Sequence, residues 1–151
     1  VILFATHGII AGEWEYIDEP GLVLTPTMEA EITNNDGLLT ASEIRELELN
    51  AEIVVLSACN TAAGDIESDE GLSGLASAFI FAGAKSIVAS HWSVDDESTQ
   101  LLVSNFFKNL KQVKSMKSSE AMRLSMIKLF KNKKYSHPIF WAPFVVVGQS
   151  I

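Results

Sequence analysis

The chain has 151 residues, of which 48% are hydrophobic and 20% are charged, and its formal net charge is −8. This length and composition predict one folded domain with a hydrophobic core, and no repeat or low-complexity tract stands out. The negative charge argues against binding to nucleic acid or to an anionic membrane surface, because both depend on an excess of Lys and Arg.

Neither a membrane-spanning segment nor a secretory signal is expected. The longest apolar stretch, residues 75–84, is too short to cross a bilayer. The first residues lack the basic start and the cleavage site of a signal peptide. The chain holds a single cysteine, Cys59, which excludes an internal disulfide and favours a reducing compartment. We therefore predict a cytoplasmic location.

Four apolar runs predict buried strands. They lie at residues 1–5, 52–57, 86–90 and 144–147. Residues 8–20 are mixed in character and include two glycines and a proline, so we expect a loop there. Two shorter runs, residues 22–25 and 29–33, flank a Pro-Thr pair and predict an exposed hairpin.

Four helices are predicted between the strands. In the first, Thr40 and Glu43 have the spacing of a capping box, in which each side chain accepts a hydrogen bond from the other residue's backbone N–H. The second should end at Gly83. The last three are expected over residues 72–82, from Asp95 or Asp96 to about residue 111, and from residue 118. Strands that alternate with helices predict an α/β fold with a mainly parallel sheet.

Polar residues follow three of the predicted strands. His7 follows the first strand, Cys59 the second, and His91 with Trp92 the third. Active sites of such sheets lie at the carboxyl ends of the strands, so we expect these residues to converge on one edge. His7 and Cys59 are 52 positions apart (59 − 7) and meet only through the fold. Neighbouring strands lie about 4.8 Å apart, which brings two such side chains within hydrogen-bond reach.

Each of these residues also has a structural interpretation. A lone cysteine in an α/β protein is commonly a small buried hydrophobe, and a histidine after a strand is commonly a turn residue. One cysteine and three histidines without ligand spacing predict no metal site. The nucleophile elbow of serine hydrolases and the glycine motif of dinucleotide-binding sites are both absent, and we expect no cofactor.

An ordered set of short motifs covers nearly the whole chain. It comprises Phe4–Gly8, Asp36–Thr40, Val55–Ala63, Glu70–Ala76, Phe81–Val88, Trp92–Asp96 and His137–Phe144. The His-Gly pair in the first motif and Ser-Ala-Cys in the third resemble the corresponding motifs of the CHAT family. These are caspase-like peptidase domains that are often joined to tetratricopeptide repeats.

The resemblance implies a three-layer αβα, caspase-like fold. It implies that residues 1–151 form the C-terminal portion of one such domain, bearing the histidine and the cysteine and lacking the N-terminal strands. It further implies a cysteine endopeptidase that acts on a protein or peptide substrate and is regulated by a tetratricopeptide-type or other sensor domain outside this chain. The alternatives are a catalytically silent scaffold or interaction module, and an unrelated α/β thiol hydrolase or acyltransferase.

The resemblance also implies roles for individual residues. Cys59 would attack the scissile carbonyl, and His7 would give the amine leaving group its proton. The backbone N–H groups of Gly8 and Cys59 would form the oxyanion hole. No third residue is evident to orient His7, so a Cys-His dyad is expected.

Specificity is left open by the sequence. Caspases carry Gln or Asp two positions before the nucleophile, whereas this chain has the short, neutral Ser57. Trp92 and His91 could line the substrate cleft or simply pack at a strand end. Acidic residues near the same edge could bind a basic peptide, but we interpret Asp95 and Asp96 as helix N-terminal charge.

Overall fold

The computed structural model describes residues 1–13, 15–26, 36–57, 74–112 and 115–149. The strands in these ranges are β1 (Ile2–Phe4), β2 (His7–Ile9), β3 (Gly21–Val23), β4 (Leu38–Thr40), β5 (Ala51–Leu56), β6 (Ala84–Ser90) and β7 (Phe144–Gly148). The α-helices are α1 (Ala41–Glu46), α2 (Gly74–Phe81), α3 (Asp96–Gln112) and α4 (Ser118–Phe130), and a 3₁₀ helix spans Pro138–Phe140. No helix in these ranges is both long and apolar enough to cross a membrane.

The main sheet has the strand order β1-β5-β6-β7. The pairs β1–β5 and β5–β6 are parallel, and β7 runs antiparallel to β6, which confirms the prediction of a mainly parallel sheet. Ile2 pairs with Val54 and Phe4 with Leu56. The N–H of Ser57 continues the ladder by donating to the carbonyl of Phe4 at 2.9 Å. The strands that precede His7 and Cys59 are therefore parallel neighbours, as the sequence predicts.

Helices cover both faces of this sheet. Successive side chains of a strand point to opposite faces, so β5 contributes to two cores. Val54 and Leu56 pack in one core with Phe79 of α2. Val55 packs in the other core with Phe106 of α3. Both phenylalanine side chains are fully buried. This arrangement confirms the three-layer αβα architecture.

A second, smaller sheet corrects one expectation. It has the antiparallel order β2-β3-β4, so His7–Ile9 is a strand rather than the beginning of a loop. The predicted strand near residue 22 pairs with β2 on one side and with β4 on the other. Its expected hairpin partner, residues 29–33, lies outside the described residues. Strands of three residues have no measurable periodicity, which is why the sequence pattern misses β2 and β4.

The helix boundaries follow the predicted signals. Thr40 N–H donates to the Glu43 carboxylate at 2.8 Å, and the Thr40 hydroxyl accepts from Glu43 N–H at 3.3 Å, so the capping box is present. Asp95 Oδ1 accepts from Ser98 N–H at 2.9 Å and caps α3. Gly83 follows the end of α2 with φ +107°, a conformation that favours glycine.

Thr40→Ala is expected to lower the free energy of unfolding by about 1 kcal/mol, the usual cost of removing a side-chain cap. The methyl group of alanine cannot accept the hydrogen bond from Glu43 N–H. Urea denaturation measures the loss. Ser42→Ala is the control, because Ser42 contributes its backbone N–H to Glu19 and that bond survives the change. A loss as large for Ser42→Ala as for Thr40→Ala would contradict the assignment of the cap.

Candidate active site

His7 lies just beyond the carboxyl end of β1, where the chain passes from the main sheet into the small one. The side chain is exposed. Its backbone pairs with Val23 of β3, and the hydroxyl of the preceding Thr6 donates to the Val23 carbonyl. His7 is therefore held by regular backbone pairing on rigid elements, as a catalytic side chain requires.

Ser57 approaches the same place from β5. It is half-buried, and its N–H bond to Phe4 fixes it beside the end of β1. Cys59 stands two residues further along the chain and lies outside the described residues. Gly8, the other predicted donor of the oxyanion hole, is half-buried in β2 and pairs with Leu22.

A cavity of about 420 Å³ opens between the ends of these strands and α3. Its volume lies in the range of roughly 300–1,000 Å³ that small-ligand pockets occupy. The sheet side is lined by Leu3, Ala5, Thr6, His7 and Ser57. The cavity therefore adjoins both the predicted base and the residue two positions before the predicted nucleophile.

The opposite wall is one face of α3. Its lining residues recur at intervals of three or four, as neighbours on a helix face do; they are Asp96, Thr99, Gln100, Val103 and Ser104. Thr99 and Val103 are 7% and 8% exposed and form the floor, whereas the other three are exposed at the rim. The Thr99 hydroxyl is buried and has no hydrogen-bond partner among the described residues.

Comparison with known protein families identifies the family of this chain. The family model of the CHAT domain matches residues 1–149. The chain belongs to the CHAT domain family. The resemblance of the ordered motifs to this family is thereby confirmed. The described parts of the motifs in this CHAT domain fall on β1, β2, β4, β5, α2, β6, the start of α3, the 3₁₀ helix and the start of β7.

Two curated proteins are similar in sequence to this CHAT domain over most of its length. Tetratricopeptide repeat protein 28 of Mus musculus is 32% identical over 114 residues, which cover 76% of this chain and 4% of the mouse protein. Tetratricopeptide repeat protein 28 of Homo sapiens is 30% identical over 114 residues, with the same coverage of both chains. The chain thus matches only a small part of the length of these relatives.

The other predicted site residues lie at the end of β6. His91 is exposed, and its backbone N–H donates to the Pro143 carbonyl at 3.0 Å. Trp92 is 40% exposed, and its Nε1 donates to the Ile139 carbonyl at 3.3 Å. Neither residue is among those that line the cavity beside His7. A substrate-binding role for them stays a prediction.

The α3 wall is the part of this site that sequence reasoning misses. Asp96 is interpreted there only as helix N-terminal charge, although its helical spacing from Thr99 and Gln100 is visible in the sequence. The neighbouring Glu97 pairs with Lys134, whose Nζ donates to the Glu97 carboxylate at 2.6 Å. This hydrogen bond lowers the pKa of Glu97. Within the described ranges, no group of three or more His, Cys, Asp and Glu side chains could hold a metal ion.

Proposed function

We propose that this CHAT domain is the catalytic portion of a cysteine endopeptidase, with Cys59 as nucleophile and His7 as its proton-transfer partner. The register between β1 and β5 carries the proposal. Each pair in that ladder, such as Phe4 with Leu56, is separated by 52 positions. The same interval separates His7 from Cys59. His7 and Cys59 therefore each stand three positions after the last residue of their strand, Phe4 and Leu56 respectively.

The chemistry follows from this pairing. The Cys59 thiolate attacks the scissile carbonyl carbon and forms a C–S bond while the carbonyl electrons move to oxygen. As the tetrahedral intermediate collapses, the C–N bond breaks and protonated His7 gives its proton to the departing amine. Water then attacks the thioester and loses a proton to His7. The C–S bond breaks, and the acid product leaves with the thiolate and imidazolium restored.

Backbone donors would stabilise the negative charge on the carbonyl oxygen. The N–H groups of Gly8 and Cys59 follow β1 and β5, the two neighbouring strands that converge on the site. Gly8 is held in the regular backbone of β2, and a donor fixed in this way needs no reorganisation as the charge develops. Losing one oxyanion-hole donor costs about 10²- to 10³-fold in rate. No cofactor takes part in this mechanism.

Control of the activity would come from outside this chain. Both curated relatives are named for tetratricopeptide repeats, and this domain matches 4% of each of them. We therefore extend the proposal to a protein in which a repeat or sensor domain gates cleavage of a protein substrate. The single cysteine, which a thiol peptidase needs in reduced form, supports a cytoplasmic setting.

Active-site labelling tests the peptidase. The full-length protein is treated with peptidyl acyloxymethyl ketones that carry different residues next to the reactive group, and the adduct is mapped by mass spectrometry. We expect the label on this domain to sit on Cys59 and to be strongly reduced in His7→Ala, because the peptide delivers the electrophile only to an activated thiolate.

Iodoacetamide labelling of the denatured protein is the control that Cys59 is present and reduced. A protein that reacts with iodoacetamide when unfolded, but with none of the peptidyl probes when folded, would favour the silent scaffold over the peptidase.

A further inference from the structure

We propose that the cavity between His7 and α3 receives the substrate side chain that immediately precedes the cleaved bond, and that Asp96 selects a basic residue there. The inference rests on the proposed peptidase function and names its substrate class, proteins cleaved after Arg or Lys. It is carried by the position, the charge and the lining of the cavity.

The cavity lies beside the place where the substrate would be cleaved. The cavity is lined by His7, which comes soon after the end of β1, and by Ser57, which directly follows the neighbouring strand β5. The side chain next to the scissile carbonyl is one Cα away from the carbon that the nucleophile attacks. A side chain in this cavity therefore belongs to the residue whose carbonyl lies between His7 and the segment that follows Ser57.

The α3 side of the cavity carries a negative charge. Three consecutive acidic residues, Asp95, Asp96 and Glu97, stand at the start of α3. Asp95 accepts the capping hydrogen bond from Ser98, and Glu97 pairs with Lys134. Among the described residues that line the cavity, Asp96 is the acidic one, and none is Lys or Arg. A cationic side chain would therefore meet a carboxylate on the wall opposite His7, with no Lys or Arg of the described lining beside it.

The lining suits a long basic side chain in shape and in hydrogen bonding. Leu3 and Val103 offer apolar contact to a methylene chain, as Lys and Arg stems prefer. The Gln100 side-chain carbonyl oxygen at the rim is an acceptor. A guanidinium group presents five N–H donors and no acceptor, so it matches a wall of this kind. Ser57 itself brings no charge to the sheet side, and Asp96 supplies a negative charge from the opposite wall.

The test compares three peptide substrates that differ only at the residue before the cleaved bond, which is Arg, citrulline or Glu. Citrulline keeps the size of arginine and removes its charge. We expect kcat/KM of the full-length protein to favour Arg over citrulline by about 10-fold or more, as a charge-assisted hydrogen bond at an accessible rim allows. Cleavage after Glu should be the slowest.

Two variants distinguish a specific role of Asp96 from the general effect of negative charge near the cavity. Asp96→Asn is expected to bring the Arg-to-citrulline ratio close to one. Glu97→Gln removes one negative charge from the same helical turn, and the ratio should stay at its wild-type value. An active protein whose Arg preference is unchanged by Asp96→Asn, or one that cleaves citrulline as well as Arg, would overturn the inference and leave the peptidase proposal intact.

Ligand binding provides a readout independent of turnover. n-Butylguanidinium is titrated into the full-length Cys59→Ala protein and followed by NMR. Binding that weakens about 10-fold or more in Asp96→Asn and persists in Glu97→Gln supports the assignment. Absence of binding at millimolar concentration overturns it. If no probe labels Cys59 in the parent protein, the peptidase fails, and the placement of the cavity beside a cleaved bond fails with it.

Discussion

His7→Ala is expected to lower kcat/KM for peptide cleavage by about 10²- to 10⁴-fold, the range that a positioned proton-transfer group contributes. The amine leaving group then has to take its proton from water, and the thiolate loses its cationic partner. Because the His7 side chain is exposed, the free energy of unfolding should change by no more than about 0.5 kcal/mol. Steady-state kinetics and urea denaturation on the same preparations measure the two effects.

The matched control for this prediction is a histidine with a structural task. His137 caps the 3₁₀ helix by accepting from Ile139 N–H at 3.2 Å through Nδ1. His137→Asn keeps a side-chain acceptor at that cap and should leave kcat/KM within about twofold. If His7→Ala kept more than a tenth of the wild-type kcat/KM, the assignment of His7 to proton transfer would be wrong.

Gly83→Ala is expected to cause the largest loss of stability among the single changes considered, about 3 to 5 kcal/mol. The residue has φ +107°, and a Cβ atom there would lie 2.2 Å from the carbonyl oxygen of Leu49. Leu49 cannot simply move away, since its N–H donates to the Ala82 carbonyl at 2.7 Å. A strained backbone costs about 1–3 kcal/mol, and a forced backbone shift costs a similar amount.

Gly12→Ala tests whether the clash or the dihedral angle matters. Gly12 also has a positive φ, +75°, but no atom lies within 4 Å of the position that a Cβ atom would take. It should lose only about 1–2 kcal/mol, the cost of placing an L-residue in the left-handed region. Urea denaturation of both variants gives the comparison. Equal losses at the two positions would show that the contact with Leu49 is relieved at little cost.

Local signals predict the elements of the main sheet well. The apolar run of β5 is long enough to be recognised as a buried strand, and the capping box at Thr40 and the acidic start of α3 place helix boundaries to within a residue or two. Residues 21–23 are recognised as extended, but their partners are not. Pairing of Val23 with Leu38 on one side and with His7 on the other is set by contacts across the fold, which no local pattern encodes.

The candidate site, like the fold, is predicted from the sequence only in part. The expectation that His7 and Cys59 follow neighbouring parallel strands is confirmed by the pairing of β1 with β5. Thr99 and Asp96 are missed as cavity residues because their role depends on which face of α3 is turned toward the strand ends. The sequence shows that these residues share a face, but the location of that face is decided by the packing of Phe106 and Leu102 into the core.

The chain crosses from the main sheet to the small sheet between Phe4 and His7, so His7 belongs to the small sheet whereas Ser57 lies at the end of a main-sheet strand. His7 is held by the pairing of β2 with β3, and Ser57 by its hydrogen bond to Phe4 of β1. The small sheet continues through Thr40 into α1, which packs on the main sheet through Ala41 and Ile44. A binding partner that tilted the small sheet by about an ångström would change the separation of base and nucleophile, and displacements of that size can cost about 10²-fold in rate. A regulator could therefore act by binding the small sheet, without entering the cleft.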